Sequence, residues 1–329
     1  MNLANLTTAK IIKGILENDV ALVSKAITLI ESTNTAHRIM ANEIIQACIS
    51  KNYETLRIGI TGVPGVGKST FIEQFGNHLT EKGKKVAVLT VDPSSSRTKG
   101  SILGDKTRMT ELAKNPNAYI RPSASGTSLG GVARKTRESI MVLEAAGYNT
   151  IIIETIGVGQ SETAVHSMVD FFLLLKIAGA GDELQGIKRG IMEMADLIVI
   201  NKADGNNIKN AELSKIEFTR ALHMFPPKEN GWSAEVLTCS ALENKGLKEI
   251  WQVISTYCSL MKENGFFVKN RQNQNEQWLL QYLEQELLTA FHNHEITKDL
   301  LPKLKEEVIN GSISPFAAAE KLLKLLKIP

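Results

Sequence analysis

The first fifty positions carry apolar residues at helical spacing. Ile11, Ile12, Ile15 and Leu16 fall on one face, and Leu22, Ile27 and Ile30 continue the pattern. No strand pattern interrupts them, so residues 1–52 read as a helical N-terminal extension. From Leu56 the period changes. Short, near-continuous apolar runs at 56–61, 86–91, 150–154, 171–175, 197–200 and 236–239 alternate with helical stretches. Strands that are apolar on both faces need cover on both faces, and the intervening helices supply it. The pattern predicts an α/β fold over residues 53–262 with a central, mostly parallel sheet.

Past about Lys262 the strand runs stop, and residues 263–329 read as a helical C-terminal region. Residues 270–276 are polar and read as a linker or helix start. Trp278, Leu279, Tyr282, Leu283, Leu287 and Leu288 then recur at helical spacing. A further helix is predicted over 298–309, closed by Asn310-Gly311. Ser314 reads as an N-cap with Pro315 at the first helical position of a last helix over 316–326.

Composition narrows the class. The chain has 329 residues, 43% hydrophobic and 22% charged, which is ordinary for a soluble protein with a sizeable core. A net charge of +3 is too small to argue for a nucleic-acid or membrane partner. Cys48, Cys239 and Cys258 are odd in number and far apart, so they form neither a disulfide framework nor a Cys-x-x-Cys metal pair. His292 and His294 have no cysteine nearby to complete a ligand set. The run 171–175 stops at Lys176, far short of the roughly 20 residues of a membrane span. The N-terminus shows no secretory pattern, and a cytoplasmic setting is the expectation.

Gly62-Val63-Pro64-Gly65-Val66-Gly67-Lys68-Ser69 matches G-x-x-x-x-G-K-[ST] after a predicted strand and before a predicted helix that continues with Thr70. Glycines let backbone N–H groups curl around phosphate oxygens, and the helix N-terminus adds partial positive charge. Lys68 can reach the β- and γ-phosphates, and Ser69 can ligate Mg²⁺. Magnesium also seeks carboxylates. Asp92 follows the run 86–91, and Glu154 ends the run 150–154. Asp105 lies in the polar stretch between, where spacing alone leaves it open between metal ligand and solvated acid. Glu154-Thr155-Ile156-Gly157 stands where GTPases carry D-x-x-G, with Gly157 placed to sense a γ-phosphate.

Asn201-Lys202-Ala203-Asp204 follows the run 197–200. A carboxylate at Asp204 can accept from guanine N1–H and the 2-amino group together, whereas adenine would leave it unpaired. The Lys202 stem can lie over the purine, and Asn201 can tie its loop to the phosphate loop. Ser240-Ala241-Leu242 follows the last strand run, where GTPases present a backbone N–H to guanine O6. The motifs, in this order, imply GTP rather than ATP.

With these residues in place, the chain resembles the MeaB/ArgK-type GTPases from about Leu56 to Leu260. The specific stretches are VDPSS at 91–95, GSILGDKTRM at 100–109, RPS at 121–123, GG at 130–131, ETIGVGQSE at 154–162 and GAGDELQGIK at 179–188. Lys99 and Val66 depart from the family's usual glycine and alanine. The resemblance implies a GTP/GDP- and Mg²⁺-dependent chaperone of adenosylcobalamin-dependent methylmalonyl-CoA mutase or a related acyl-CoA mutase. It implies that GTP turnover gates cobalamin delivery and protects or reactivates the mutase. It places Asp105 with Asp92, Glu154 and Ser69 around the metal, and Gln160, Asp182, Gln185 and Lys188 in switch segments. Hydrolysis is then expected to rest on Lys68, Asp105, Glu154 and Lys188, the last acting when the partner docks. The residues alone favour an ordinary turn at 179–181 and a solvated Lys188. The resemblance further implies a homodimer through the C-terminal helices, although intramolecular packing accounts for the same apolar stripes equally well. The competing readings are a small-molecule kinase or transport-linked ATPase, a nickel-delivery maturation GTPase, and a scaffold with a degenerate site.

Overall fold

The structure is a computed structural model that describes residues 7–32, 34–49, 54–91, 109–122, 129–155, 161–179 and 189–325. Seven strands form one sheet: β1 (Leu56–Gly62), β2 (Val86–Val91), β3 (Ala118–Arg121), β4 (Thr150–Thr155), β5 (Phe171–Ile177), β6 (Leu197–Asn201) and β7 (Glu235–Thr238). Their spatial order is β3-β2-β4-β1-β5-β6-β7, and every pairing is parallel. The expected α/β sheet is therefore present, with β1 in its middle.

Burial explains the apolar runs. β2, β4 and β6 are buried at every position. On one face, α4 (Lys68–Glu81) packs Phe71, Ile72, Phe75 and Leu79 against Ile58 and Ile60. α10 (Leu247–Glu263) adds Ile250, Ile254, Tyr257 and Met261 to that cluster. On the other face, Leu174, Ile198 and Ile200 meet Met192 of α8 (Arg189–Met194) and Ala211 and Phe218 of α9 (Ile208–Leu222). Short helices α5 (Thr110–Lys114) and α7 (Ser161–His166) complete the connections.

The N-terminal helices α1 (Thr8–Leu16), α2 (Val20–Glu31) and α3 (Thr35–Ile49) pack with α6 (Leu129–Ala145). Ile11, Ile15, Val23, Ile27 and Ile44 are buried there. Asp19 starts α2 by accepting from the backbone N–H of Ala21 and Leu22 at 2.9 and 3.1 Å, an N-cap that satisfies groups the helix cannot. Two compact units result, one running to Gln274 and one from Asn275 onward. Within the second, α12 (Glu295–Ile309) and α13 (Pro315–Leu325) bury Leu304, Ala318 and Leu322. Ser314 caps α13, accepting from Ala317 N–H at 3.1 Å. No helix among the described residues is long and apolar enough to cross a membrane.

Two features differ from the sequence expectation. The edge strand β3 has only four residues, too few to show a period, and it forms because β2 offers it a partner. Of the two readings of residues 270–276, the helix holds and the linker does not, and the helix starts earlier: α11 runs without interruption from Phe266 to Asn293. The reason is polar. Arg271 donates to both Asp170 oxygens at 2.8 and 2.7 Å and to the Thr55 carbonyl at 2.6 Å, and Gln274 donates to the Val169 carbonyl at 2.8 Å. Beside them, Arg57 forms a two-pronged pair with Glu144 at 2.8 and 2.9 Å. These charges sit at the amino ends of β1 and β5, remote from the strand ends where loops gather.

Asp170 also accepts from the Arg57 backbone N–H at 2.8 Å. Its side chain is 2% exposed. Removing one member of a buried pair leaves the other charge uncompensated. Asp170→Ala is therefore expected to lower stability by about 3 kcal/mol, read from the urea midpoint of the full chain.

Candidate nucleotide site

β1 delivers its last residue, Gly62, into a loop that ends where α4 begins at Lys68. The loop is closely fitted. A Cβ at Gly62 would stand 2.6 Å from the Leu175 carbonyl oxygen. Gly67 is left-handed at φ +91°, and a Cβ there would lie 2.9 Å from Asn201 Nδ2. Lys68 folds back over this loop and donates to the carbonyls of Gly62 at 2.7 Å and Val63 at 3.2 Å. Its burial disfavours the charged form and pulls its pKa down, while the carboxylates of Glu154 and Glu162 push partly back. Pro64 and Gly65 are exposed, Val66 is buried, Ser69 is half-buried and Thr70 is exposed.

A second loop leaves β6. Asn201, 2% exposed at the strand's end, donates from Nδ2 to the Val66 carbonyl at 2.9 Å. Its Oδ1 accepts from Ala241 N–H at 3.3 Å. One side chain thus joins the phosphate loop to the loop after β7. Lys202, itself left-handed at φ +58°, donates from Nζ to the Gly65 carbonyl at 2.7 Å. Asn207 steadies this turn by donating to the Lys202 carbonyl at 2.8 Å.

The third loop holds the acid. Ser240 Oγ donates to Asp204 Oδ2 at 2.5 Å and accepts from Glu243 N–H at 3.1 Å. Leu242 is 78% exposed, beside this turn. Burial pushes the neighbouring Cys239 thiol up to about 12, which keeps it a neutral thiol. The outcome is an oriented carboxylate at Asp204 with capacity left to accept two N–H groups.

Glu154 lies buried on β4, opposite Ile60 of β1 and Thr90 of β2. Ser69 and Glu154 are oxygen donors of the type Mg²⁺ prefers. Asp92, Asp105, Gly157, Gln160, Asp182, Gln185 and Lys188 lie outside the described residues. Glu162 received no role from the sequence, yet it is 4% exposed at the start of α7 and acts on Lys68. Its signal was its position, in the first turn of a helix that follows the Glu154–Gly157 segment.

The model of the family described as methylmalonyl-CoA mutase-associated GTPase MeaB matches residues 23–295. The chain belongs to that family. GTPase ArgK of Escherichia coli is 44% identical over 321 residues, covering 98% of this chain and 97% of that protein. The mitochondrial methylmalonic aciduria type A homolog of Mus musculus is 43% identical over 324 residues, covering 95% of this chain and 78% of that one. A crystal structure described as a LAO/AO transport system kinase superposes with a TM-score of 0.79 at 37% identity, covering 99% of this chain and 100% of that chain.

As a MeaB-family GTPase, the protein binds guanine nucleotide and hydrolyses GTP to GDP and phosphate. The loops after β1, β6 and β7 converge at the carboxyl edge of a parallel sheet, where ligands of such sheets sit. Gly67→Ala tests whether this convergence is the site. The added methyl meets Asn201 in a left-handed backbone, so GTP and GDP affinity should fall by about tenfold or more in a fluorescent-nucleotide titration.

Proposed function

We propose that this GTPase gates delivery of adenosylcobalamin to methylmalonyl-CoA mutase or a related acyl-CoA mutase, and protects or reactivates that enzyme. The observation that carries the proposal is the MeaB family match over residues 23–295, the family's own description being mutase-associated. The junction made by Asn201 supports the nucleotide half of it, because it brings the phosphate and guanine loops onto one strand edge.

In this reading the loop 62–67 wraps the phosphates with backbone N–H groups, and Ser69 and Thr70 lie at the helix end behind them. Lys68 leaves the Gly62 and Val63 carbonyls when phosphate oxygens offer a stronger partner. Asp204, held by Ser240, reads guanine, Lys202 covers the base, and the 241–242 backbone faces O6. Mg²⁺ would be held by Ser69, Asp92, Asp105 and Glu154, and it neutralises charge on the β- and γ-phosphates when bound. Gly157 and Gln160 follow the γ-phosphate. Asp182, Gln185 and Lys188 form the segment that answers the mutase. A lysine brought to the phosphates by a partner stabilises developing charge as an arginine finger does.

The protein acts as a cytoplasmic homodimer in this proposal. Leu279, Leu280, Leu283, Leu287 and Leu288 of α11 are all at least 48% exposed, an apolar stripe suited to a second copy. A second reading, a kinase acting on a small molecule, draws on the description of the superposed crystal structure. Nucleotide competition separates the two: a guanine-reading site prefers GTP, and preference for ATP would favour the kinase.

Lys68→Ala should reduce GTP turnover to background, because the transferred phosphoryl loses its main protein cation; unchanged turnover would refute that role. Adding cobalamin mutase should raise GTP turnover, and Lys188→Ala should remove the rise while leaving the unstimulated rate. Equal stimulation of both proteins would show that Lys188 is not the trigger.

A further inference from the structure

The seam between β1 and β4 changes where the candidate site begins. The two strands pair in register as far as Ile60 opposite Glu154. Past that point β1 continues its ladder with β5, through Thr61 opposite Leu174 and Gly62 opposite Leu175. β4 continues with β2, through Thr155 opposite Val91. Gly62 then leads into the phosphate loop, and Thr155 is the last residue of β4.

One side-chain hydrogen bond spans the opened seam. Thr155 Oγ1 donates to Thr61 Oγ1 at 2.8 Å. Thr155 is 0% exposed and Thr61 1% exposed, so the bond is closed to water. A buried hydroxyl without a partner is costly, and this pair therefore resists separation more than an exposed one would. It joins the residue before Gly62 to the residue after Glu154 at the level where the backbone ladder between their strands has ended.

We infer that Thr61 and Thr155 are positioning residues for GTP hydrolysis: their hydroxyl pair fixes the carboxyl end of β4, and Glu154 with it, against the start of the phosphate loop. This rests on the nucleotide-site reading given above. Both hydroxyls are buried and engaged with each other rather than turned to an open surface. Loop N–H groups and Lys68 hold phosphate, and the loops after β6 and β7 hold the base. The pair acts instead on where Glu154, the residue before Thr155, stands relative to the phosphate loop. Misplacement there slows the chemical step while binding persists.

Thr155→Val and Thr61→Val keep the branched shape and each delete one hydroxyl. With the full chain, kcat for GTP should fall about tenfold in either variant, while the Kd for GTP and GDP stays within about twofold. Thr155→Ser, which retains the hydroxyl, should recover most of the rate. The double valine variant should be no slower than the slower single variant, because both substitutions break one bond. Full kcat in either valine variant overturns the inference. So do additive losses in the double variant, or parallel loss of affinity and rate that serine does not rescue. If Thr155→Val does not fold, Thr61→Val is judged by the same kcat and Kd criteria. Nucleotide affinity indifferent to Gly67→Ala would instead place the site elsewhere, whatever the threonine variants do.

Discussion

The pairing of β1 on both sides constrains everything around it. β1 lies between β4 and β5, with its backbone committed to two ladders and Ile58 and Ile60 packed into the core on one face. A strand so enclosed cannot shift along its axis without breaking both ladders and exposing Ile58 and Ile60. Its carboxyl end is therefore a fixed point, and the loop that leaves Gly62 starts from that point. The ends of β6 and β7 are set against it through the same sheet, which allows a side chain as short as Asn201 to reach two loops at once.

The charged groups divide between the two edges of this sheet. At the amino ends, Arg57, Glu144, Asp170 and Arg271 neutralise one another in a buried group and anchor the start of α11. At the carboxyl ends, charge is less evenly matched. Lys68 rests on carbonyl oxygens near two buried carboxylates, and Asp204 rests on a hydroxyl. Both are groups that a nucleotide can engage. The chemistry of the fold is thus concentrated where backbone ladders end, and stability is concentrated where they begin.

The strands were legible because a parallel sheet buried on both faces needs unbroken apolar runs, and runs such as 86–91 and 197–200 stand out from polar neighbours. The phosphate and guanine loops were legible because their chemistry demands particular residue types within a few positions. β3 was not legible, since its pairing comes from β2 rather than from any period of its own. The continuity of α11 through 270–276 was not legible either. Polar residues there look like a linker until Asp170, Thr55 and Val169, more than a hundred positions away, are seen to receive them.

Local spacing by itself determined the α/β class, the phosphate-loop and guanine-reading motifs and the Ser314 N-cap, because each depends on neighbours within a turn or a strand. Only the tertiary structure decided which strand ends stand side by side, that Asn201 reaches the loop after β7 as well as the phosphate loop, that the Glu162 carboxylate acts on Lys68, and that Thr61 meets Thr155 across a seam. The hydrogen bonds at these junctions join residues from 36 to 135 positions apart, a separation at which no sequence period survives. They arise from the sheet, which converts distance along the chain into adjacency at one edge.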